Sequence, residues 1–156
     1  MANKQFKNWS EIERYLKKQI NDVLINEVSE VVKDEIQSTL SDTVYSYKPK
    51  RYKQRKYTDG GLGDKETINT EPASDGVIKI TPNAERNKNY KYAGRGYDID
   101  KSLAENIVEG YGDRKQEWNQ PRDFIGETKE NLKTSKAHIE AMRDGLKNRL
   151  GEDAVE

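Results

Sequence analysis

His138 is the only histidine, and the chain has no cysteine. A paired-histidine zinc site such as H-E-x-x-H needs two imidazoles, and structural zinc sites or thiol nucleophiles need cysteine. One chain therefore cannot build either. The position of His138 beside the apolar Ile139 on a helical pattern reads as a half-exposed surface histidine. Carboxylates are plentiful, and two or three brought together by folding can hydrolyse glycosides or hold a catalytic metal. Asp98 with Asp100 and Asp59 with Asp64 are the first pairs to consider, yet a helix cap for Asp100 and a turn for Asp59 account for them equally well. Gly60-Gly61-Leu62-Gly63-Asp64-Lys65 has the composition of a phosphate loop. It lacks the G-x-x-x-x-G-K-[ST] spacing and does not join a strand to a helix. Gly94-Arg95-Gly96 is a lone GxG that carries no chemistry by itself. The expectation is a chain with no catalytic residues, no cofactor and no metal site, that is, not an enzyme; a small carboxylate hydrolase is the alternative that metal-dependent turnover would reveal.

The segment with the strongest chemical signal runs from Tyr45 to Tyr57. Six of the nine residues from Lys48 to Lys56 are basic, and four of the nine tyrosines of the chain, Tyr45, Tyr47, Tyr52 and Tyr57, are interleaved with them. Cations neutralise phosphates with release of counterions, and aromatic rings stack on bases or bond to backbone. Tyr47, Lys48, Lys50, Arg51, Tyr52, Lys53, Arg55 and Lys56 are the candidate residues for contact with DNA or with an acidic partner. A solvated loop whose tyrosines pack on the sheet and whose lysines face water is the other reading.

Charge distribution sharpens this. The chain has 28 basic and 28 acidic residues, for a formal charge of zero. Residues 43–58 hold six basic and no acidic side chains, whereas the parts before and after are both net acidic. All the positive excess thus sits in one short segment. Charged residues make up 36% and apolar residues 32% of the 156, against roughly 25% and 45–50% in ordinary domains, the latter figure including glycine. A monomer of this composition has a thin core, so part of its order is expected to come from neighbouring subunits. No run approaches the roughly 18 apolar residues of a membrane span, and Met1 to Lys7 lead into no apolar signal segment. A protein with no membrane contact, assembled in a reducing cytoplasm, is expected.

The elements that must position these residues follow from periodicity. Apolar residues at Ile12, Leu16, Ile20, Val23, Leu24, Val28, Val31, Val32, Ile36 and Leu40 trace one stripe, opened by the capping box Ser10–Glu13. A helix over 11–40 is predicted, about 45 Å long, which is more than a thin core needs. It packs along its own domain or lends part of its stripe to a neighbouring subunit. Residues 43–64 form an extended basic loop. Strands are predicted at 64–72 and 76–82, joined by Pro72 to Gly76, with a third short strand at Tyr90 to Ala93. A short helix at about 101–109, capped by Asp100 or Ser102 and ended by Gly110 or Gly112, precedes a long last helix from Pro121 to Gly151 whose stripe weakens between Leu132 and Ile139. The fold class is α+β: a small antiparallel β-sheet packed with a long N-terminal helix and a long C-terminal helix, plus one short helix, in a single domain over 1–156.

Three stretches in order carry a resemblance. Tyr47-Lys48-Pro49-Lys50-Arg51-Tyr52-Lys53-Gln54-Arg55 followed by Gly60-Gly61-Leu62 resembles a Y-x-P-x-x-Y-x-R…GGL loop. Tyr92-Ala93 with Ile107-Val108-Glu109-Gly110-Tyr111-Gly112 is similar to a YA…VE-x-G stretch, with Asp98-Ile99-Asp100 lengthening the link. Gln120-Pro121-Arg122-Asp123-Phe124-Ile125, with Thr128 and Leu132, is similar to a P-R-x-F-I helix start. These patterns belong to the neck, or tail-completion, proteins of long-tailed (siphovirus-type) phages, especially those of Gram-positive hosts. The resemblance implies a structural virion protein: a homo-oligomeric ring, often of six, around the DNA channel. Its partners would be the portal and adaptor on one side and tail proteins on the other, with the basic loop facing genomic DNA or the adjoining ring. It implies no activity and no cofactor. A minor tail or capsid-associated subunit, or a nucleic-acid-binding accessory protein using the basic loop, are the alternatives.

Overall fold

Eight apolar residues at strict steps of four, Leu16, Ile20, Leu24, Val28, Val32, Ile36, Leu40 and Val44, lay out the first element. In an α-helix each step of four overshoots a full turn by about 40°, so such a series winds steadily around the cylinder. The computed structural model, which describes residues 6–46, 56–58, 60–84, 102–110 and 120–151, shows how the drift is corrected. Helix α1, Trp9–Val23, runs into one π-helical turn, Leu24–Val28, and continues as α2, Ser29–Thr43. The π-turn takes up one extra residue, which sets the stripe back by about 100°. Two side chains serve carbonyls around it: Asn26 Nδ2 donates to the Asp22 carbonyl at 2.7 Å, and the buried Ser29 hydroxyl donates to the Ile25 carbonyl.

The start of α1 corrects the expected capping box. The Glu11 N–H donates to Asn8 Oδ1 at 3.0 Å, and the Glu11 carboxylate accepts the Lys7 N–H at 2.9 Å. Asn8 caps as well as serine does, and Phe6 already stacks on Tyr15, with ring centroids 5.3 Å apart. The chain is therefore turned onto the helix before Ser10, which sits inside the first turn.

Asp64 caps a 3₁₀ turn, Lys65–Thr67, that leads into β1, Ile68–Ser74; β2, Val77–Pro82, completes a two-stranded antiparallel sheet. The first strand thus lies later than predicted and runs through Pro72, as an edge strand allows because no inward N–H is required there. The connection is only Asp75-Gly76, and Gly76 takes the positive φ of 74° that a tight hairpin demands. The predicted third strand at Tyr90 to Ala93 lies outside the described residues.

Helix α3, Leu103–Glu109, carries a complete capping box: the Glu105 N–H donates to Ser102 Oγ at 3.2 Å and the Ser102 N–H to Glu105 Oε2 at 2.7 Å. Ser102, rather than Asp100, is the cap, and Gly110 ends the helix with φ 72°. The long last helix is two helices. Asp123 caps α4, Phe124–Ser135, through the Gly126 N–H at 2.8 Å; Lys136 then turns left-handed, φ 57° and ψ 16°, before α5, Ala137–Leu150. The break falls in the apolar gap between Leu132 and Ile139, where burial offered nothing to hold one continuous helix. The class is α+β, with a long N-terminal helix and C-terminal helices as expected.

The chain divides into two compact units assembled from interleaved segments. The first comprises Met1–Val31, Thr70–Lys79 and Ala137–Glu156. Among its described residues few are buried: Val23 packs on Gly145, and Val28 and Ser29 are also buried. Arg149 donates to Glu27 at 2.7 Å and reaches Asp22 at 3.9 Å. The hairpin tip is tied to α1 by the Gly76 N–H donating to Asn21 Oδ1 at 3.0 Å and by Lys17, which bridges Glu13 at 3.0 Å and Asp75 at 3.3 Å. Hydrogen bonding to Glu13 and then Asp75 holds the Lys17 pKa above its ordinary 10.5. The second unit, Val32–Asn69 and Ile80–Lys136, contains a continuous core of Ile36, Leu40, Val44, Tyr45, Leu62, Ile68, Ala84, Ala104, Ile107 and Phe124.

Candidate functional site

Of the candidate contact residues, Lys56 lies within the described part of the chain, whereas Tyr47, Lys48, Lys50, Arg51, Tyr52, Lys53 and Arg55 lie outside it. What the structure describes are the residues on either side of that basic segment. The α2 stripe delivers Val44 and Tyr45 into the core of the second unit immediately before the segment begins. Immediately after it, Lys56 and Tyr57 return to Tyr45. The Tyr45 hydroxyl donates to the Lys56 carbonyl at 3.1 Å, while the Lys56 ammonium donates to the Tyr45 carbonyl at 3.4 Å. The same ammonium lies 5.4 Å from the centroid of the Tyr45 ring, and the Tyr57 ring meets Tyr45 edge-on with centroids 5.5 Å apart. Tyr45 is buried, so its hydroxyl needs this partner.

The glycine-rich stretch that follows is a folded platform rather than a phosphate cradle. Leu62 is buried in the core. Gly60 has φ 73°, and its N–H donates to Asp64 Oδ2 at 3.0 Å. The other Asp64 oxygen accepts the Glu66 N–H at 3.1 Å, which commits this candidate carboxylate to the backbone. The Thr67 hydroxyl bonds the Gly61 and Asp64 carbonyls, each at 2.9 Å. The Gly63 N–H donates to the Lys56 carbonyl at 2.9 Å, and its own carbonyl accepts Gln37 Nε2 at 2.5 Å. A β-carbon on Gly63 would stand 2.7 Å from the Tyr57 ring. Lys65 pairs with Asp34 at 2.6 Å, tying the platform to α2 once more.

The three stretches that carry the sequence resemblance meet in one place. Leu62 from the first, Ile107 from the second and Phe124 from the third are all buried in the core of the second unit, with Val108 and Ile125 packed against it. Arg122 joins two of them and the loop base through hydrogen bonds: its N–H donates to the Ile107 carbonyl at 3.0 Å and its guanidinium to the Val44 carbonyl at 3.5 Å. In this chain these residues share one core. Tyr92, Ala93, Tyr111 and Gly112 lie outside the described residues, as do Asp59, Asp98, Asp100 and Gly94 to Gly96.

His138 is half-buried near the start of α5, with Nδ1 sheltered and unpaired. Among the described residues no three histidine or carboxylate side chains converge as metal ligands, and no helix is long and apolar enough to cross a membrane. Sequence reasoning placed Lys56 among contact residues and did not single out Gln37 or the pairing of Tyr45 with Lys56. The one available signal was the step-of-four series ending at Val44, which puts Tyr45 beside the core.

A family model described as YomN covers residues 8–148, nearly the whole chain. No curated protein and no solved structure matches.

Proposed function

The chain belongs to the YomN family, a phage-derived family of SPbeta-prophage type, and from that premise we propose that it is a ring-forming structural subunit of the virion at the head–tail junction. The observation that carries this reading is the convergence of the three neck-protein-like stretches, through Leu62, Ile107 and Phe124, on a single core. In the first unit, large apolar side chains lie open on α1, β2 and α5: Trp9 is 76% exposed, Val77 50% and Ile139 48%. Covering these side chains against neighbours would stabilise the unit by about 25 cal/mol per Å² of apolar area. Portal–adaptor and tail proteins would be the axial partners, and the cytoplasm of the host the place of assembly.

Native mass spectrometry of the purified full chain tests the ring. A closed homo-oligomer, with six copies as the expected number, supports the reading; a strict monomer at high concentration, together with absence from purified particles, overturns it. A second role is favoured by a specific observation. The basic excess of the chain lies between Tyr45 and Lys56, which bond each other, and its charges are the chemistry that duplex DNA in the channel would meet. Loss of salt-sensitive duplex binding on replacing Lys50, Arg51, Lys53 and Arg55 by Ala is the expected outcome; a wild-type chain that shows no such binding removes the DNA role and leaves the ring role standing.

A further inference from the structure

We infer that Arg149 is a register lock for the long N-terminal helix: by holding Asp22 and Glu27 at once, it selects the form with the π-turn over an unbroken α-helix. The inference goes beyond the ring reading and does not depend on it. Asp22 and Glu27 are five residues apart. In a plain α-helix residues so spaced point about 140° apart, too far for one side chain of a neighbouring helix to serve both. Across the π-turn they share a guanidinium. Arg149 Nη2 donates to Glu27 Oε1 at 2.7 Å, and Nη1 lies 3.9 Å from Asp22 Oδ2. The backbone carries the same shift, because the Ser29 N–H donates to the Leu24 carbonyl, five residues back instead of four. With one residue absorbed there, positions five apart on either side differ in direction by only about 40°. Val23 and Val28, at the same spacing, are both buried, and α5 packs on α1 and on the π-turn. One charged pair and one apolar pair thus fit the π-turned form better than an unbroken α-helix.

The backbone does not favour a π-turn by itself. The turn disturbs the ladder, and the Asn26 amide serves the Asp22 carbonyl at 2.7 Å. Something outside the helix must therefore select it, and Arg149 is the described side chain that reaches carboxylates on both sides of it. Its Nε and Glu27 Oε2 are sheltered from solvent, so salt screens this pairing less than it screens an open surface pair. Releasing Arg149 lets the extra residue be drawn back into an α-helix. The residues before the turn, Trp9 and Leu16 included, would then rotate by about 100° against Val28 and Ser29. A contact made by the last helix therefore sets the direction in which the exposed apolar side chains of α1 point.

Electron paramagnetic resonance on the full chain tests this. The chain has no cysteine, so nitroxides can be placed at Lys18→Cys and Glu30→Cys, exposed positions on either side of the turn. With the π-turn the two labels point within about 20° of each other; in an unbroken α-helix they point about 120° apart and stand several ångströms farther from each other. The parent pair should give the short distance, and a long one overturns the inference at once. Arg149→Met should add a population at the longer distance, whereas Arg143→Met, at an exposed arginine of the same helix, should not. Deleting Asn26 removes the extra residue and leaves the same facing in a plain α-helix. In that background Arg149→Met should leave the short distance unchanged. A single short distance in Arg149→Met overturns the lock, as does a longer population of equal size in the deletion background. Circular dichroism melts check that each variant is folded. If Arg149→Met unfolds, Glu27→Gln takes its place with the same expected outcomes. A deletion variant that fails to fold also overturns the assignment, since no residue is then surplus.

Discussion

The backbone of Gly145 lies so close to Val23 that a β-carbon on residue 145 would stand 2.5 Å from one Val23 methyl and 3.1 Å from the other. Val23 is wholly buried and β-branched, so it cannot swing aside. Gly145→Ala sets two effects against each other: alanine favours the helix by about 1 kcal/mol, and overpacking a tight contact costs about 1–3 kcal/mol. The contact wins on these magnitudes. Chemical denaturation should show Gly145→Ala less stable than wild type, and Val23→Ala in the same chain should make the added methyl neutral or favourable.

The frame of the first helix is open to a paired test. Asn8→Ala removes the acceptor of the Glu11 N–H and should cost about 1 kcal/mol. Ser10→Ala, inside the first turn, should stay within about 0.5 kcal/mol of wild type. The reverse order in thermal melts would restore the Ser10–Glu13 capping box that the sequence suggests.

The caps of α1 and α3 show how far spacing alone carries. For α3 the sequence left Asp100 and Ser102 both open as caps, and of the two only Ser102 has a glutamate three residues on, with which it forms the box. At the start of α1 the sequence reading took Ser10–Glu13 alone, although Asn8–Glu11 has the same spacing; the structure caps at Asn8, with Phe6 packed on Tyr15 just ahead of it. The step-of-four series announced the long helix. Its π-turn was implicit in that arithmetic, since four residues per turn does not fit an α-helix over seven steps, but the place where the extra residue is absorbed depends on what Asn26, Ser29 and Arg149 find around them. The core of the second unit was legible in the apolar residues of the resembling stretches. The bonds at the base of the basic segment were not, because a lysine in a run of lysines and arginines carries no mark of its carbonyl partner.

Lys136 is the only described non-glycine residue with a positive φ. A left-handed conformation costs an ordinary residue about 1–2 kcal/mol, and glycine pays far less of it. The Lys136 side chain is exposed, so little packing is lost on removing it. Lys136→Gly is expected to raise the melting temperature, with a stabilisation of about 0.5–1 kcal/mol. A fall in stability would mean that α4 and α5 are joined as one continuous helix in solution.

Phe124 is the largest wholly buried side chain among the described residues, and it joins the helix-start stretch to the remaining core of the second unit. Phe124→Ala should cost about 3–5 kcal/mol and, through loss of the fold, should abolish the proposed ring. Phe124→Leu, nearer in volume, should cost less and keep the proposed ring. Size-exclusion chromatography beside denaturant titration separates the two outcomes.

Cryo-electron microscopy of purified phage particles carrying the protein, with the neck reconstructed under its own symmetry, tests the central claim most directly. The expected result is a closed ring of density between the portal–adaptor stack and the tail, each repeat fitted by this chain, lost when the gene is disrupted, with heads left untailed. Particles of normal morphology that contain no copy of the chain, with all of it recovered in the soluble lysate, would contradict it.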